Sequence, residues 1–179
     1  KSEINSDIWP ADWDRIELGV ENIVGDPGEA RLCQACGAFE MLSGAGNSQN
    51  IAWVDYAGPE TDLSVYDGWW TLYSADLDGG DLQLLTDTDN DGTFDLVLAE
   101  GIDLANTGGA GPEFLQALKL DWLTEDLTVD DLRVQIDGTG VGNLDFTVDG
   151  VKKAPEPGTI LGLLAVGSLG VAAKRKKQK

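Results

Sequence analysis

Short apolar or alternating stretches recur along this chain, and turn-forming residues cut each from the next. They fall at residues 51–56, 69–75, 82–85, 94–99, 118–123, 132–136 and 144–148. Clusters of Gly, Asp, Asn and Pro lie between them. Runs this short suit strands, because a strand turns one face to a core at every second residue. Repetition at intervals of roughly 10–15 residues, with turn chemistry between, points to a β-sandwich or jelly roll. No long amphipathic helical pattern appears, and residues 113–118 are expected to make one helical turn. Residues 1–50 are less ordered in pattern, with loops expected at 25–28 and 43–50. The expected fold is therefore mainly β: an antiparallel sandwich or jelly-roll-like body over residues 1–153, then a linker at 154–157 and one C-terminal transmembrane helix at 158–173.

Charge divides the chain in the same place. Of its 179 residues, 12 are Lys or Arg and 32 are Asp or Glu, a formal net charge of −20. Five of the basic residues lie in the last six positions, so residues 1–153 hold 7 basic against 31 acidic residues, a net of −24. An acidic body repels nucleic acid, which needs basic surface against phosphate. Such density also favours either bound cations or plain solubility, since self-repulsion opposes compaction. The chain has no His. That removes Ser-His-Asp and Cys-His catalysis and imidazole ligands for zinc. Residue 1 is Lys, which is expected of a processed chain or a fragment.

Residues 158–173 carry no charge, and Lys174, Arg175, Lys176 and Lys177 follow at once. As a helix the 16 residues would span about 24 Å, somewhat short of a ~30 Å hydrocarbon core. Local thinning of the bilayer and snorkelling basic side chains accommodate the difference. The basic cluster would hold residues 174–179 on the cytoplasmic side as a tail, with the body outside. The other reading, a buried core helix, fits poorly with a basic cluster ending the chain. Just before the span, Pro155, Glu156 and Pro157 make an extended segment that neither neighbour can absorb. It leaves backbone accessible between body and membrane.

The order Pro155-Glu156-Pro157, apolar span, basic cluster resembles the PEP-CTERM sorting signal, over residues 155–177. Many members of that family place Ser or Thr directly after the motif, whereas here Gly158 intervenes and the hydroxyl is Thr159. The resemblance implies export across the inner membrane of a Gram-negative-type envelope. It implies an exosortase-type enzyme as the partner that recognises Pro155, Glu156 and Pro157 and removes the tail. The body would be anchored in the inner membrane before processing and reach the cell surface or extracellular matrix afterwards. On this reading the chain is a substrate of the sorting enzyme rather than an enzyme.

Within the body, the chemically suggestive run is Asp87-Thr88-Asp89-Asn90-Asp91-Gly92-Thr93-Phe94-Asp95. Alternate Asp residues let carboxylates converge as a chain curls round an ion, and Gly92 permits the sharp turn. Asp87, Asp89 and Asp91, the carbonyl of Thr93 and the carboxylate of Asp95 form the expected set. Hard oxygen donors suit Ca²⁺ better than a transition metal. The twelfth position is Leu98, so the bidentate acid of an EF-hand is missing and the flanks read as strands. The object would be a calcium-binding hairpin turn, with Kd in the ~10⁻⁴–10⁻³ M range of extracellular modules. The same Asn90-Asp91-Gly92 also suits a plain hairpin without an ion. A second cluster, Asp76, Asp78 and Asp81 around Gly79-Gly80, reads mainly as a turn.

Cys33 and Cys36 form a C-x-x-C. Zinc lacks further ligands, which leaves a short-loop disulfide, free thiols or a redox centre. Export favours the disulfide. Six Trp are present, and Trp69-Trp70 is distinctive because neighbouring residues of a strand face opposite sides. An outward Trp suits stacking on sugar rings, which makes extracellular polysaccharide a candidate partner. A rival function is a secreted glycan-active hydrolase using paired carboxylates, a chemistry that needs only two acids at a defined separation. The favoured reading is a non-enzymatic envelope or matrix protein.

Overall fold

The computed structural model describes residues 13–32 and 38–153, with side chains through Asp149. Among the described residues, ten strands form two five-stranded sheets in which every pairing is antiparallel. They are β1 (Asp14–Val24), β2 (Glu29–Leu32), β3 (Phe39–Leu42), β4 (Gln49–Asp62), β5 (Trp69–Ala75), β6 (Gly80–Thr86), β7 (Leu96–Leu104), β8 (Gln116–Leu120), β9 (Thr128–Asp137) and β10 (Phe146–Lys153). The first sheet has the order β1-β4-β9-β6-β7, and the second has β2-β3-β10-β5-β8. The mainly β, sandwich-like body expected from the sequence is what forms.

Alternation explains the layers. Along β9, Leu132, Val134 and Ile136 are buried while Arg133, Gln135 and Asp137 face outward. Along β5, Trp69, Thr71 and Tyr73 point inward and Trp70 and Leu72 outward. Val54 of β4, Leu82 and Leu84 of β6, Met41 of β3 and Phe146 of β10 complete the centre of one continuous core. Tyr73 stacks on Phe146 with ring centroids 5.7 Å apart. Full burial of each such side chain contributes about 1.5–3 kcal/mol.

The expected helical turn at 113–118 is corrected. Only Pro112–Phe114 winds, as a 3₁₀ turn, and β8 then starts at Gln116. Pairing with Trp69–Tyr73 of β5 outweighs a propensity that one turn cannot stabilise alone. Three strands also lie in the region whose pattern was unclear. β1 is an edge strand, so its inner residues Leu18 and Val20 are only partly covered. β2 and β3 have four residues each, too few to show a period.

The loops at 25–28 and 43–48 are pinned by side chains. Asn50 Oδ1 accepts from Gly28 N at 3.0 Å. Asn143 and Ser48 clasp each other, with Asn143 N donating to the Ser48 carbonyl at 2.8 Å and Ser48 N to Asn143 Oδ1 at 3.1 Å. Among the described residues no helix is long and apolar enough to cross a membrane. The expected span at 158–173 and the motif Pro155, Glu156 and Pro157 lie outside them, as do Cys33, Cys36 and Trp9.

Candidate functional site

The 87–95 segment joins β6 to β7 as a hairpin connection, as its flanks predicted. It is anchored at its entry by a residue the sequence did not single out. Asp131 on β9 accepts from Thr86 Oγ1 at 2.7 Å and from Asp87 N at 2.9 Å. Asp87 then organises the turn. Its Oδ2 accepts from Gly92 N at 2.7 Å, and its Oδ1 faces the N–H groups of Asp89 and Asp91 at 3.3 Å. Desolvation pushes its pKa up, but these N–H groups outweigh it and hold the Asp87 carboxyl below the ordinary range. Asn90 and Gly92 take positive φ, 57° and 88°, which Gly adopts without strain.

The turn brings one carboxylate oxygen each of Asp87, Asp89 and Asp91 within 4.8 Å of one another. Asp87 is buried, while Asp89 and Asp91 are exposed. The neighbouring charge of Asp91 pushes the pKa of Asp89 up. Hard oxygens and converging carboxylates are the properties a Ca²⁺ site requires. Asp95, also expected as a ligand, is not in this group, and the Thr93 hydrogen bond is made by its N–H rather than by the expected carbonyl. Asp95 accepts from Thr88 Oγ1 at 3.2 Å, and Thr93 N donates to Asp91 Oδ1 at 2.8 Å. Leu98, at the twelfth position, is fully buried in the core.

The second acidic run does not converge. Asp76 accepts from Asp145 N at 2.8 Å, Asp78 from Asn106 N at 2.7 Å and Asp81 from Asp103 N at 2.7 Å. Asp78 and Asp81 hold the end of β7 and Asp76 the entry to β10, in keeping with the turn reading.

Next to the hairpin, the outer face of the first sheet carries an unusual stack. The Arg133 guanidinium lies 4.4 Å from the Phe94 ring centroid and 4.9 Å from that of Trp53. It also pairs two-pronged with Asp55, at 2.7 and 2.8 Å. The Trp53 indole rests on the bare backbone of Gly19 in β1. On the other sheet Trp69 is buried and Trp70 faces outward, with Nε1 3.4 Å from Asp67 Oδ1. The opposed orientation read from the sequence is thus present.

Fold and charge define an acidic antiparallel β-sandwich. From the end of β10 onward the chain carries a PEP-CTERM protein-sorting motif, matched over residues 153–176. That motif marks an exported protein. No curated protein sequence matches the chain. Among solved structures, it is similar to a family 43 arabinoxylan arabinofuranohydrolase from Bacillus subtilis in complex with cellotetraose, at 14% identity and TM-score 0.38. That match covers 65% of this chain and 24% of that one, so the chain spans about a quarter of the hydrolase. It is also similar to a family 29 carbohydrate-binding module variant, at 13% identity and TM-score 0.36, over 75% of this chain and 89% of that one. A third is the family 11 carbohydrate-binding module of a Clostridium thermocellum cellulosomal cellulase. There the identity is 10% and the TM-score 0.35, over 80% of this chain and 88% of that one. Likenesses this distant carry no argument about function.

Proposed function

We propose that this chain is a non-enzymatic component of the cell surface or extracellular matrix, associated with extracellular polysaccharide and stabilised by Ca²⁺ in the 87–91 turn. The observation that carries the reading is the sorting motif directly behind an acidic sandwich. An exosortase-type enzyme acts on Pro155, Glu156 and Pro157 while residues 158–173 hold the chain in the inner membrane. The body is then released outward. Supporting the calcium assignment, Asp87, Asp89 and Asp91 already converge.

Intact mass of the native protein, fraction by fraction from its source cells, tests the sorting. A mass ending near Pro157 in an outer or extracellular fraction is expected. A mass retaining Lys179 in the inner membrane would instead make the span a permanent anchor and remove the matrix reading. Incubation with labelled polysaccharides separates this role from a hydrolase. Retention without turnover is expected, and turnover would overturn it.

A further inference from the structure

One outward row crosses all five strands of the first sheet in register: Gly19 (β1), Trp53 (β4), Gln135 (β9), Gln83 (β6) and Glu100 (β7). Its polar members are joined side by side. Gln135 Nε2 donates to Gln83 Oε1 at 2.9 Å, and Gln83 Nε2 donates to Glu100 Oε1 at 2.6 Å. Four interstrand steps of ~4.8 Å make the row about 19 Å long. Each amide has a second N–H, and Gln135 Oε1 and the other Glu100 oxygen remain as acceptors. The lateral bonds fix these groups in position, so little rotamer freedom is left to lose on binding. Toward one end the half-buried Trp53 indole, held between Gly19 and the Arg133 guanidinium, leaves its remaining exposed part as an apolar contact.

We infer that this row is a binding face for a neutral polysaccharide chain lying across the strands. The inference rests on the polysaccharide association proposed above and names its site and ligand class. Hydroxyl groups both donate and accept, and so match a row that offers both in alternation. Charge decides among occupants. Glu17, Glu21, Asp81 and Asp137 flank the row on the outer face, and among the described residues the cation beside it, Arg133, is paired with Asp55. That field repels an anionic polymer, and it equally repels a second copy of a body carrying a net −24. A neutral ligand pays no such penalty.

Affinity electrophoresis of the full chain in mild detergent tests this, with hydroxyethylcellulose, galactomannan, dextran or alginate cast into the gel. Retardation by at least one neutral polymer and none by alginate is expected. Gln83→Ala/Gln135→Ala should weaken retardation about tenfold, as expected for two lost hydrogen bonds. Gln135→Glu keeps the side-chain shape but replaces the donor facing Gln83 with an acceptor. It should weaken retardation similarly while circular dichroism still shows the folded sandwich. Retention by a neutral polymer that survives both variants but is lost in Trp70→Ala would overturn this site and leave the polysaccharide association standing. Preferential retention by alginate would overturn the neutral ligand. No retention by any of the polymers would overturn both the face and the association on which it rests.

Discussion

Arg133 and Asp55 form a two-pronged ion pair across adjacent strands, with Asp55 almost wholly buried although it lies on the outer face. The guanidinium in turn lies against two rings, those of Trp53 and Phe94. Removing the cation leaves a buried carboxylate without its partner. Arg133→Ala is expected to cost about 3 kcal/mol in urea unfolding, the low end for breaking a buried pair because Arg133 is partly exposed. Arg133→Lys keeps the charge but loses the fork and the flat stacking surface, and should recover less than half of the loss. Full recovery by Lys would show that charge alone matters.

Calcium should act through Asp89 and Asp91. With Kd of ~10⁻⁴–10⁻³ M, about 10 mM Ca²⁺ stabilises the folded state by about 1.4–2.7 kcal/mol, or about 3–10 °C in Tm. Asp89→Asn/Asp91→Asn should abolish that shift. In EDTA the same double variant should melt above the parent, because the repulsion that raises the Asp89 pKa is gone. An equal Tm for the parent with Ca²⁺ and with EDTA would remove the calcium assignment.

Acid should first stabilise and then destabilise the metal-free protein. Burial first, and then neighbouring acids, raise the pKa of Asp76 and Asp81, and the charge of Asp91 raises that of Asp89. A carboxyl whose pKa is higher folded than unfolded takes up its proton preferentially in the folded state, so stability grows as pH falls toward it. Asp87 has the opposite shift. The stability contributed by its backbone hydrogen bonds is present above its ordinary value of 3.8 and is lost as pH falls through its lower folded pKa. Tm in EDTA is therefore expected to rise as pH falls from neutrality toward 3.8, and to fall once pH drops well below it. A Tm that falls monotonically from pH 7 would contradict these shifts.

How much of this was legible depended on whether the signal was local. The inward–outward alternation of 132–136 and the opposed rings of Trp69 and Trp70 follow from strand geometry, and both appear in the structure. Asp87, Asp89 and Asp91 could be read because their convergence is set within five consecutive residues. Gln135 with Gln83, and Arg133 with Asp55, could not be read. They lie 52 and 78 residues apart, and their pairing depends on the strand order β4-β9-β6, which no local pattern specifies. β1 was hidden for a related reason: Glu17, Gly19 and Glu21 face outward, and an edge position leaves Leu18 and Val20 only half covered.

Gly19 shows how one such hidden contact can be tested. A Cβ there would fall inside van der Waals contact of the Trp53 indole, a rigid ring rather than a flexible chain end. Two effects oppose each other in Gly19→Ala. Fewer unfolded conformations favour the variant by about 0.4–1 kcal/mol, while overpacking costs about 1–3 kcal/mol. Overpacking should win, but only narrowly, because the ring lies on an outer face and can swing toward solvent. A net loss of about 1 kcal/mol and a red shift of tryptophan emission are expected. In a Trp53→Ala background the clash is absent, so Gly19→Ala should become neutral or stabilising. The sign reversal is the diagnostic reading. If Gly19→Ala were equally destabilising with and without the indole, the glycine would be required by the strand itself rather than by the ring laid across it.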